Sequence, residues 1–105
     1  MSTVIYNKAV RDLIPDIIRA TGKECVVEQV APEEFLALLR EKLAEEVAEY
    51  QAAPSVEELA DIVEVIRSIL YLEGASWEQL EELRVRKAVK RGAFAERLVL
   101  KSADA

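Results

Sequence analysis

Residues that interrupt helices are scarce in this chain, and their positions leave long uninterrupted segments between them. The 105 residues include three glycines and three prolines, which favours long helices over many short strands. Pro32 suits the first position of a helix, whereas Pro54 falls where one apolar pattern ends and the next begins. The length is close to the commonest domain size, so we expect one domain over residues 1–105.

Apolar residues recur at helical spacing in four segments, which predicts four helices. The expected helices cover residues 8–21, residue 32 to just before residue 54, residues 55–74, and residue 76 to about residue 92. The last two each begin with a serine that is followed three residues later by Glu58 or Gln79, the spacing of a capping box. Pro15 is expected early in the first helix or at a kink.

Two further segments, residues 24–30 and 94–100, are rich in β-branched or other apolar residues. We expect each of them to form a short strand and the two strands to pair. The predicted fold class is therefore mainly all-α, an antiparallel helical bundle with a small two-stranded β appendage.

The net charge of −6 conceals a separation of charge along the chain. Eight acids and one base lie between residues 41 and 64, whereas seven bases and one acid lie between residues 84 and 101. A protein with this acidic balance is not expected to coat bulk nucleic acid, because phosphate binding requires clustered Lys and Arg. The chain has no histidine, which excludes the nucleophile systems and metal sites that depend on one.

Cysteine usage and the N-terminal sequence bear on the compartment. Cys25 is the only cysteine, so no internal disulfide can form, as is usual in the reducing cytosol. The first ten residues lack the apolar core of a signal peptide, and no apolar run approaches the length of a membrane span. We therefore expect a cytoplasmic protein with no membrane partner.

Two pairs of acids at a spacing of three residues occur on consecutive predicted helices. The first pair is Glu46 and Glu49, and the second is Glu58 and Asp61. Residues three apart project from the same face of a helix, and a short loop makes consecutive helices run antiparallel. The four carboxylates can then reach a common volume, where all-oxygen ligands suit Mg²⁺ or Mn²⁺.

Acidic pairs on helices usually belong to a solvated face and not to a metal site. The residues around these acids help to decide between the two interpretations. Leu59 lies at the centre of the apolar arc of its helix, and Val65 and Leu72 extend the arc on one side. Glu58 lies inside the widened arc, and Asp61 lies at its edge. A carboxylate among apolar neighbours needs a partner, and a buried cluster of carboxylates needs a cation. Glu58 keeps a second interpretation, as the capping-box partner of Ser55.

The acid pairs, in the settings EKLAEEVAEY and EELADIVEVI, resemble the E-x-x-E and E-x-x-D metal motifs of the MazG-like all-α nucleoside triphosphate pyrophosphohydrolases. The segments YNKAVRDLIP and KAVKRGAFAERL are similar to the house-cleaning branch of that superfamily, whose N-terminal pattern is Y-N-K-L-V-R-D-x-I-P. Ala9 departs from the leucine of that pattern. The resemblance implies a helical fold, usually dimeric, that binds Mg²⁺ and hydrolyses a nucleotide between its α and β phosphates.

The resemblance also implies roles for individual residues. The metal ligands are Glu46, Glu49, Glu58 and Asp61. A phosphate or substrate role falls to the N-terminal residues Asn7, Lys8, Arg11 and Asp12. A basic patch that faces phosphate is expected at Lys87, Lys90 and Arg91.

Each basic residue has a structural alternative. Lys8 and Arg11 can instead pair at the surface with Asp12 or Asp16. Bases near the end of the last helix are favoured there by the helix dipole in any case. The water that attacks the phosphate cannot be activated by histidine, so we expect activation by metal polarisation or by a carboxylate base. Glu49 is the first candidate for orienting the water, with Glu46 beside it.

The helix that begins at Ser55 is apolar over about half its circumference, more than a few short helices readily cover. We therefore expect a homodimer or a higher homo-oligomer. Two alternatives to a triphosphate pyrophosphohydrolase stay open: a non-catalytic helical dimer that binds a nucleotide or a protein, and a phosphoribosyl-ATP pyrophosphohydrolase. No motif indicates which base or sugar is selected.

Overall fold

The computed structural model describes residues 2–105, and its regular secondary structure is entirely helical over that range. The helices are α1 (Ile14–Ala20), α2 (Pro32–Ala52), α3 (Val56–Leu72) and α4 (Trp77–Arg91). The four predicted helices are therefore present in the predicted order. Within residues 2–105, no helix combines the length and the apolar character that a membrane crossing requires.

The start of α1 corrects the sequence prediction. The helix was expected from residue 8, but it begins at Ile14, with Pro15 in its first turn. Proline lacks a backbone N–H, so the first turn is the place in a helix where it costs no hydrogen bond. Residues 8–13 consequently lie outside the helix, and this short segment packs against α2 and α3.

Helices α2 and α3 pack against each other in antiparallel directions. Leu39 and Val65 share the core between them, and the Arg40 guanidinium bonds the Glu73 carboxylate at 3.1 Å. Toward the other end of the pair, Glu46 of α2 lies close to Glu58 of α3. The turn between the helices is short, and the side chain of Ser55 caps the start of α3.

The core of this pair is small and includes a residue from the N-terminal segment. Ala9, Leu39 and Val65 are buried, with 4%, 6% and 7% of their surface exposed. Partly buried apolar residues surround them, namely Phe35, Leu38, Leu43, Ile69 and Leu72. Ala9 therefore fastens the segment before α1 onto α2 and α3.

The side of α3 that faces α2 lies toward one edge of the predicted apolar arc and not at its centre. Leu59, predicted at the centre of the apolar arc, is 44% exposed, and Val63 is 40% exposed, whereas Val65 is buried. Glu58, Asp61 and Val65 follow one another at spacings of three and four residues, so they share the inward face. Part of the apolar side around Leu59 is exposed within the first 74 residues that the structure describes.

The predicted β appendage is not found. No strand occurs in residues 2–105, and the segments 24–30 and 94–100 are without regular secondary structure. Val26 is 99% exposed and Leu100 is 83% exposed. A β-branched or apolar composition produces a strand only where a neighbouring backbone pairs with it, and neither segment has such a partner among the described residues.

The described part of the chain divides into two compact units. The first ends at Gly74 and contains α1, α2 and α3, and the second comprises Ala75–Ala105 with α4. Helix α4 begins with a complete capping box, in which Ser76 and Gln79 exchange side-chain and backbone hydrogen bonds. The expectation of a single domain over residues 1–105 stays a prediction.

Candidate metal centre

Acidic side chains from α2 and α3 meet at one place on the helix pair. Glu46, Glu58 and Asp61 each offer a carboxylate oxygen, and these three oxygens lie within 4.8 Å of one another. Glu45, Glu46 and Glu49 form a second group with the same spacing limit. Glu46 belongs to both groups and therefore stands at the centre of the acid cluster, the name used below for these five residues.

The local structure explains why these acids converge. Glu46 and Glu49 are three residues apart on α2, as Glu58 and Asp61 are on α3, so each pair occupies one helix face. The antiparallel packing then brings the two faces together. The structure thus brings three of the four predicted ligands, Glu46, Glu58 and Asp61, into one group. The fourth, Glu49, joins through Glu46 in the second group, together with Glu45, for which the sequence motif gave no signal.

Two oxygens in the acid cluster are buried and have no hydrogen-bond partner among the described residues, namely Oε2 of Glu46 and Oε2 of Glu58. Glu46 is 7% exposed, and its side chain is 10% exposed. An unsatisfied buried polar atom costs about 1–3 kcal/mol, and more when the group is charged. A hard divalent cation bound by oxygen ligands removes that cost.

The protonation of Glu46 responds to the same crowding. Burial raises the pKa of the Glu46 carboxyl, and interaction with the neighbouring Glu49 carboxyl raises it further. The Asp61 charge acts in the same direction, while Lys42 opposes the rise in pKa. A proton on Glu46 thus partly relieves the repulsion in the absence of metal, and a cation would compete with that proton.

Cations from two parts of the chain reach the acid cluster. Lys8 Nζ donates to Glu45 Oε1 at 2.9 Å, and Arg11 Nη2 donates to Asp61 Oδ1 at 2.7 Å. Lys42 Nζ lies 3.6 Å from Glu45 Oε1 and 3.5 Å from an oxygen of Glu46. With every group ionised, the five carboxylates and three bases leave a charge of −2, which one divalent cation balances.

The partners of Lys8 and Arg11 differ from those of the surface-pairing alternative. Instead of Asp12 or Asp16, they contact acids 37 and 50 residues away in the sequence. The hydrogen bond with Glu45 raises the pKa of Lys8, and the same bond lowers the pKa of Glu45. Lys8 and Arg11 of the N-terminal segment therefore contact the acid cluster.

The capping interpretation of Glu58 can be compared with the complete box in α4. Ser55 Oγ accepts a hydrogen bond from the Glu58 backbone N–H at 3.1 Å, so the serine does cap α3. In α4 the Gln79 side chain also returns a bond to the backbone of Ser76. The Glu58 side chain instead has its Oε2 buried, with no partner within residues 2–105, and its carboxylate belongs to the acid cluster.

A cavity of about 320 Å³ opens beside the acid cluster. The N-terminal segment, α2 and α3 all contribute to its lining, which includes Arg11, Phe35, Leu39, Glu46, Asp61 and Ser68. Charged groups and an apolar wall thus share one space whose volume falls in the range of small-molecule sites.

The other predicted site residues lie outside the acid cluster. Asp12 lines the cavity, and Asn7 is exposed with a positive φ of 46°. The bases predicted to face phosphate are exposed on the last turns of α4, with no ion pair among the described residues, and they are Lys87, Lys90 and Arg91.

Comparison with known proteins gives one partial match. A protein of Mycolicibacterium smegmatis (strain ATCC 700084 / mc(2)155), described as uncharacterized, is 50% identical over 44 residues. These residues make up 42% of this chain and 45% of that protein, so the chain spans less than half of the relative's length. No family model and no solved structure matches the chain.

Proposed function

We propose that this protein is a Mg²⁺-dependent nucleoside triphosphate pyrophosphohydrolase with a helical bundle of the MazG-like type. It converts a canonical or non-canonical nucleoside triphosphate into the monophosphate and pyrophosphate. The observation that carries the proposal is the pair of buried, unpartnered oxygens, Glu46 Oε2 and Glu58 Oε2, inside a group of converging carboxylates. The activity itself is inferred from the resemblance of the acid motifs.

The donor set fits a hard cation. Glu46, Glu58 and Asp61 supply carboxylate oxygens from two helices, and the exposed Glu49 is grouped with Glu46 on the other side of the acid cluster. Oxygen-only ligands suit Mg²⁺, with Mn²⁺ as a substitute. When bound, the cation supplies charge neutralisation for the phosphate oxygens and polarisation of the attacking water.

The chain's own residues perform the remaining tasks. Glu49 orients the water and accepts its proton, because it is the exposed member of the cluster, with Glu46 as its buried neighbour. Lys8 and Arg11 counter the phosphate charge, and Phe35 gives the cavity an apolar wall for the nucleoside. Asn7 and Asp12 belong to the same substrate-side segment.

The reaction adds one water across the bond between the α and β phosphates. The water oxygen forms a new P–O bond, the bond to the bridging oxygen breaks, and that oxygen leaves on one of the products. Glu49 takes the proton of the water and returns it to solvent. A phosphate anhydride is hydrolysed without oxidation or reduction, so no further co-reactant is needed.

We also propose that the protein acts as a homodimer in the cytoplasm. Apolar residues of α3 are partly exposed in the described chain, where Leu59 is 44% exposed and Val63 is 40% exposed. A self-complementary contact of two such faces is the commonest way to bury them.

The test measures pyrophosphate release from a panel of canonical, deoxy and damaged nucleoside triphosphates and phosphoribosyl-ATP, with and without Mg²⁺. We expect release from at least one triphosphate and a loss of about a hundredfold or more in Glu46→Gln and Asp61→Asn, since each removes a ligand. Matched controls are Glu41→Gln on α2 and Glu57→Gln on α3, which remove exposed acids outside the acid cluster.

The other candidate functions are outcomes of the same assay. Release from phosphoribosyl-ATP alone would reassign the substrate. Binding of a nucleotide without release of pyrophosphate, or full activity in the Glu46→Gln and Asp61→Asn variants, would overturn the proposed hydrolysis.

A further inference from the structure

We propose that Arg11 is a phosphate ligand that Asp61 masks in the metal-free protein, and that a divalent cation unmasks it by taking Asp61. This inference rests on the proposed function, because the phosphate is that of its substrate. It goes further by coupling the two binding events, so that the cation binds first and creates the anion site.

Asp61 has two competing partners in the structure. One oxygen each of Asp61, Glu46 and Glu58 lie within 4.8 Å of one another. The Asp61 carboxylate also accepts a hydrogen bond from Arg11 at 2.7 Å. A cation held by these oxygens would lie a few ångströms from the guanidinium. Two positive groups repel at that distance, so binding of the cation weakens the contact between Arg11 and Asp61.

The unpartnered oxygens indicate which competitor is favoured. Arg11 reaches Asp61, but Glu46 Oε2 and Glu58 Oε2 stay buried with no partner in the described part of the chain. A cation can serve all three carboxylates at once. The exchange of Arg11 for a cation therefore satisfies more buried charge than the present ion pair does.

Arg11 is placed to accept a phosphate once it leaves Asp61. Its side chain is 56% exposed and lines the cavity beside the acid cluster. A guanidinium carries five N–H donors in a planar fork, which matches two phosphate oxygens. A phosphate that contacts the cation in this cavity would be within reach of the released side chain.

The backbone near Arg11 is held in position while the side chain moves. Ala9, two residues earlier, is 4% exposed in the core with Leu39 and Val65. Lys8 is tied to Glu45 at 2.9 Å. A rotation of the Arg11 side chain about this fixed segment exchanges the carboxylate for a phosphate without unfolding the segment.

Calorimetric titrations with Mg²⁺ alone, and with inorganic pyrophosphate at saturating Mg²⁺, test the coupling without turnover. Arg11→Ala should bind Mg²⁺ about two- to fivefold more tightly than the wild type, because the competitor is gone. It should bind pyrophosphate about tenfold or more weakly, because a charged fork is lost.

Two further variants separate this exchange from simple changes in charge. Arg40→Ala removes an exposed arginine that pairs with Glu73 at 3.1 Å, and it should alter neither affinity. Arg11→Lys keeps the charge but loses the fork, so its affinity for pyrophosphate should fall between those of the wild type and Arg11→Ala.

The inference is overturned if Arg11→Ala binds Mg²⁺ no more tightly than the wild type, or if its affinity for pyrophosphate is unchanged. Such a result alongside Mg²⁺-dependent hydrolysis by the wild type would leave the proposed function standing. If both shifts occur but no triphosphate is hydrolysed, the coupled site stands and the proposed function fails.

Discussion

The acid cluster on α2 and α3 and the charged surface of α4 have comparable amounts of charge but use it differently. In the acid cluster two of the three basic partners come from distant parts of the chain, as with Arg11 and Asp61, and two buried oxygens have no partner among the described residues. On α4 the partners are one turn apart in the same exposed helix, as with Arg86 and Glu82. Charge density alone therefore does not indicate a site, whereas burial and long-range pairing do.

The starts of α3 and α4 make the same point with a single motif. Both helices begin with serine and have Glu or Gln three residues later. In α4 the Gln79 side chain completes the capping box, whereas the Glu58 side chain in α3 belongs to the acid cluster. A sequence motif for helix capping can thus supply a residue to a site when a neighbouring helix brings other acids close.

The largest effect should separate these two positions. Glu58→Gln should weaken Mg²⁺ binding about tenfold to a hundredfold, because a charged ligand becomes neutral, while α3 keeps its cap from Ser55. Gln79→Ala should leave Mg²⁺ affinity unchanged. Titration calorimetry with Mg²⁺ checks both variants, and an equal loss in the two would remove the distinction between the caps.

The next effect concerns the stability of the metal-free protein. Burial raises the pKa of the Glu46 carboxyl in the folded protein above its pKa in the unfolded chain. The contribution of this group to stability is therefore fully present below the pKa of the unfolded chain, and it is lost as the pH rises through the pKa of the folded protein. At neutral pH the free energy of unfolding of Glu46→Gln should therefore exceed that of the wild type by about 1–3 kcal/mol. The advantage should disappear in acid.

Chemical denaturation in the presence of a chelator, repeated over a range of pH, measures this difference. Addition of Mg²⁺ should stabilise the wild type and leave Glu46→Gln unchanged. A variant that is less stable than the wild type at every pH would show that the buried carboxylate is satisfied without a cation.

A smaller effect is expected on α4. If Lys87 and Arg91 contact phosphate, as the resemblance implies, the double variant with alanine at both positions should raise KM for the triphosphate several-fold and leave kcat nearly unchanged. Steady-state kinetics measure both constants. An unchanged KM would assign these bases to the solvated end of the helix, where the dipole favours them.

The smallest effect should come from the ion pairs within α4. Arg86→Ala breaks an exposed pair with Glu82, and such pairs contribute little to stability. Its thermal unfolding midpoint should match that of the wild type within error. A marked loss of stability would mean that the ion pair between Arg86 and Glu82 stabilises the folded protein, against the expectation for an exposed pair.

The four helices, the serine caps and the two acid pairs follow from local sequence patterns. The spacing of apolar residues and the positions of Pro32 and Gly74 act within a few residues, so a single chain segment reveals them. The apolar arc of α3 predicts a non-solvated position for Glu58, and the structure places Glu58 in the acid cluster with Glu46. Their convergence required one further assumption, that a short loop makes the helices antiparallel.

Other features depended on contacts that no local pattern contains. The segment 24–30 has strand-like composition but no neighbouring backbone to pair with in the described chain. Leu59 is predicted at the centre of the apolar arc of α3, yet Val65, toward the edge of that arc, is the buried residue. Periodicity gives the faces of a helix but not which face its neighbour covers.

The helices and the candidate carboxylate ligands could thus be predicted from the sequence alone, because hydrogen bonding and side-chain spacing within a helix are local. The partners of Lys8 and Arg11, the inclusion of Glu45 and the burial of Glu46 emerged only once α2, α3 and the N-terminal segment were packed together. Burial and charge pairing depend on neighbours that are distant in sequence, and those two properties turn acidic helix faces into a candidate metal centre.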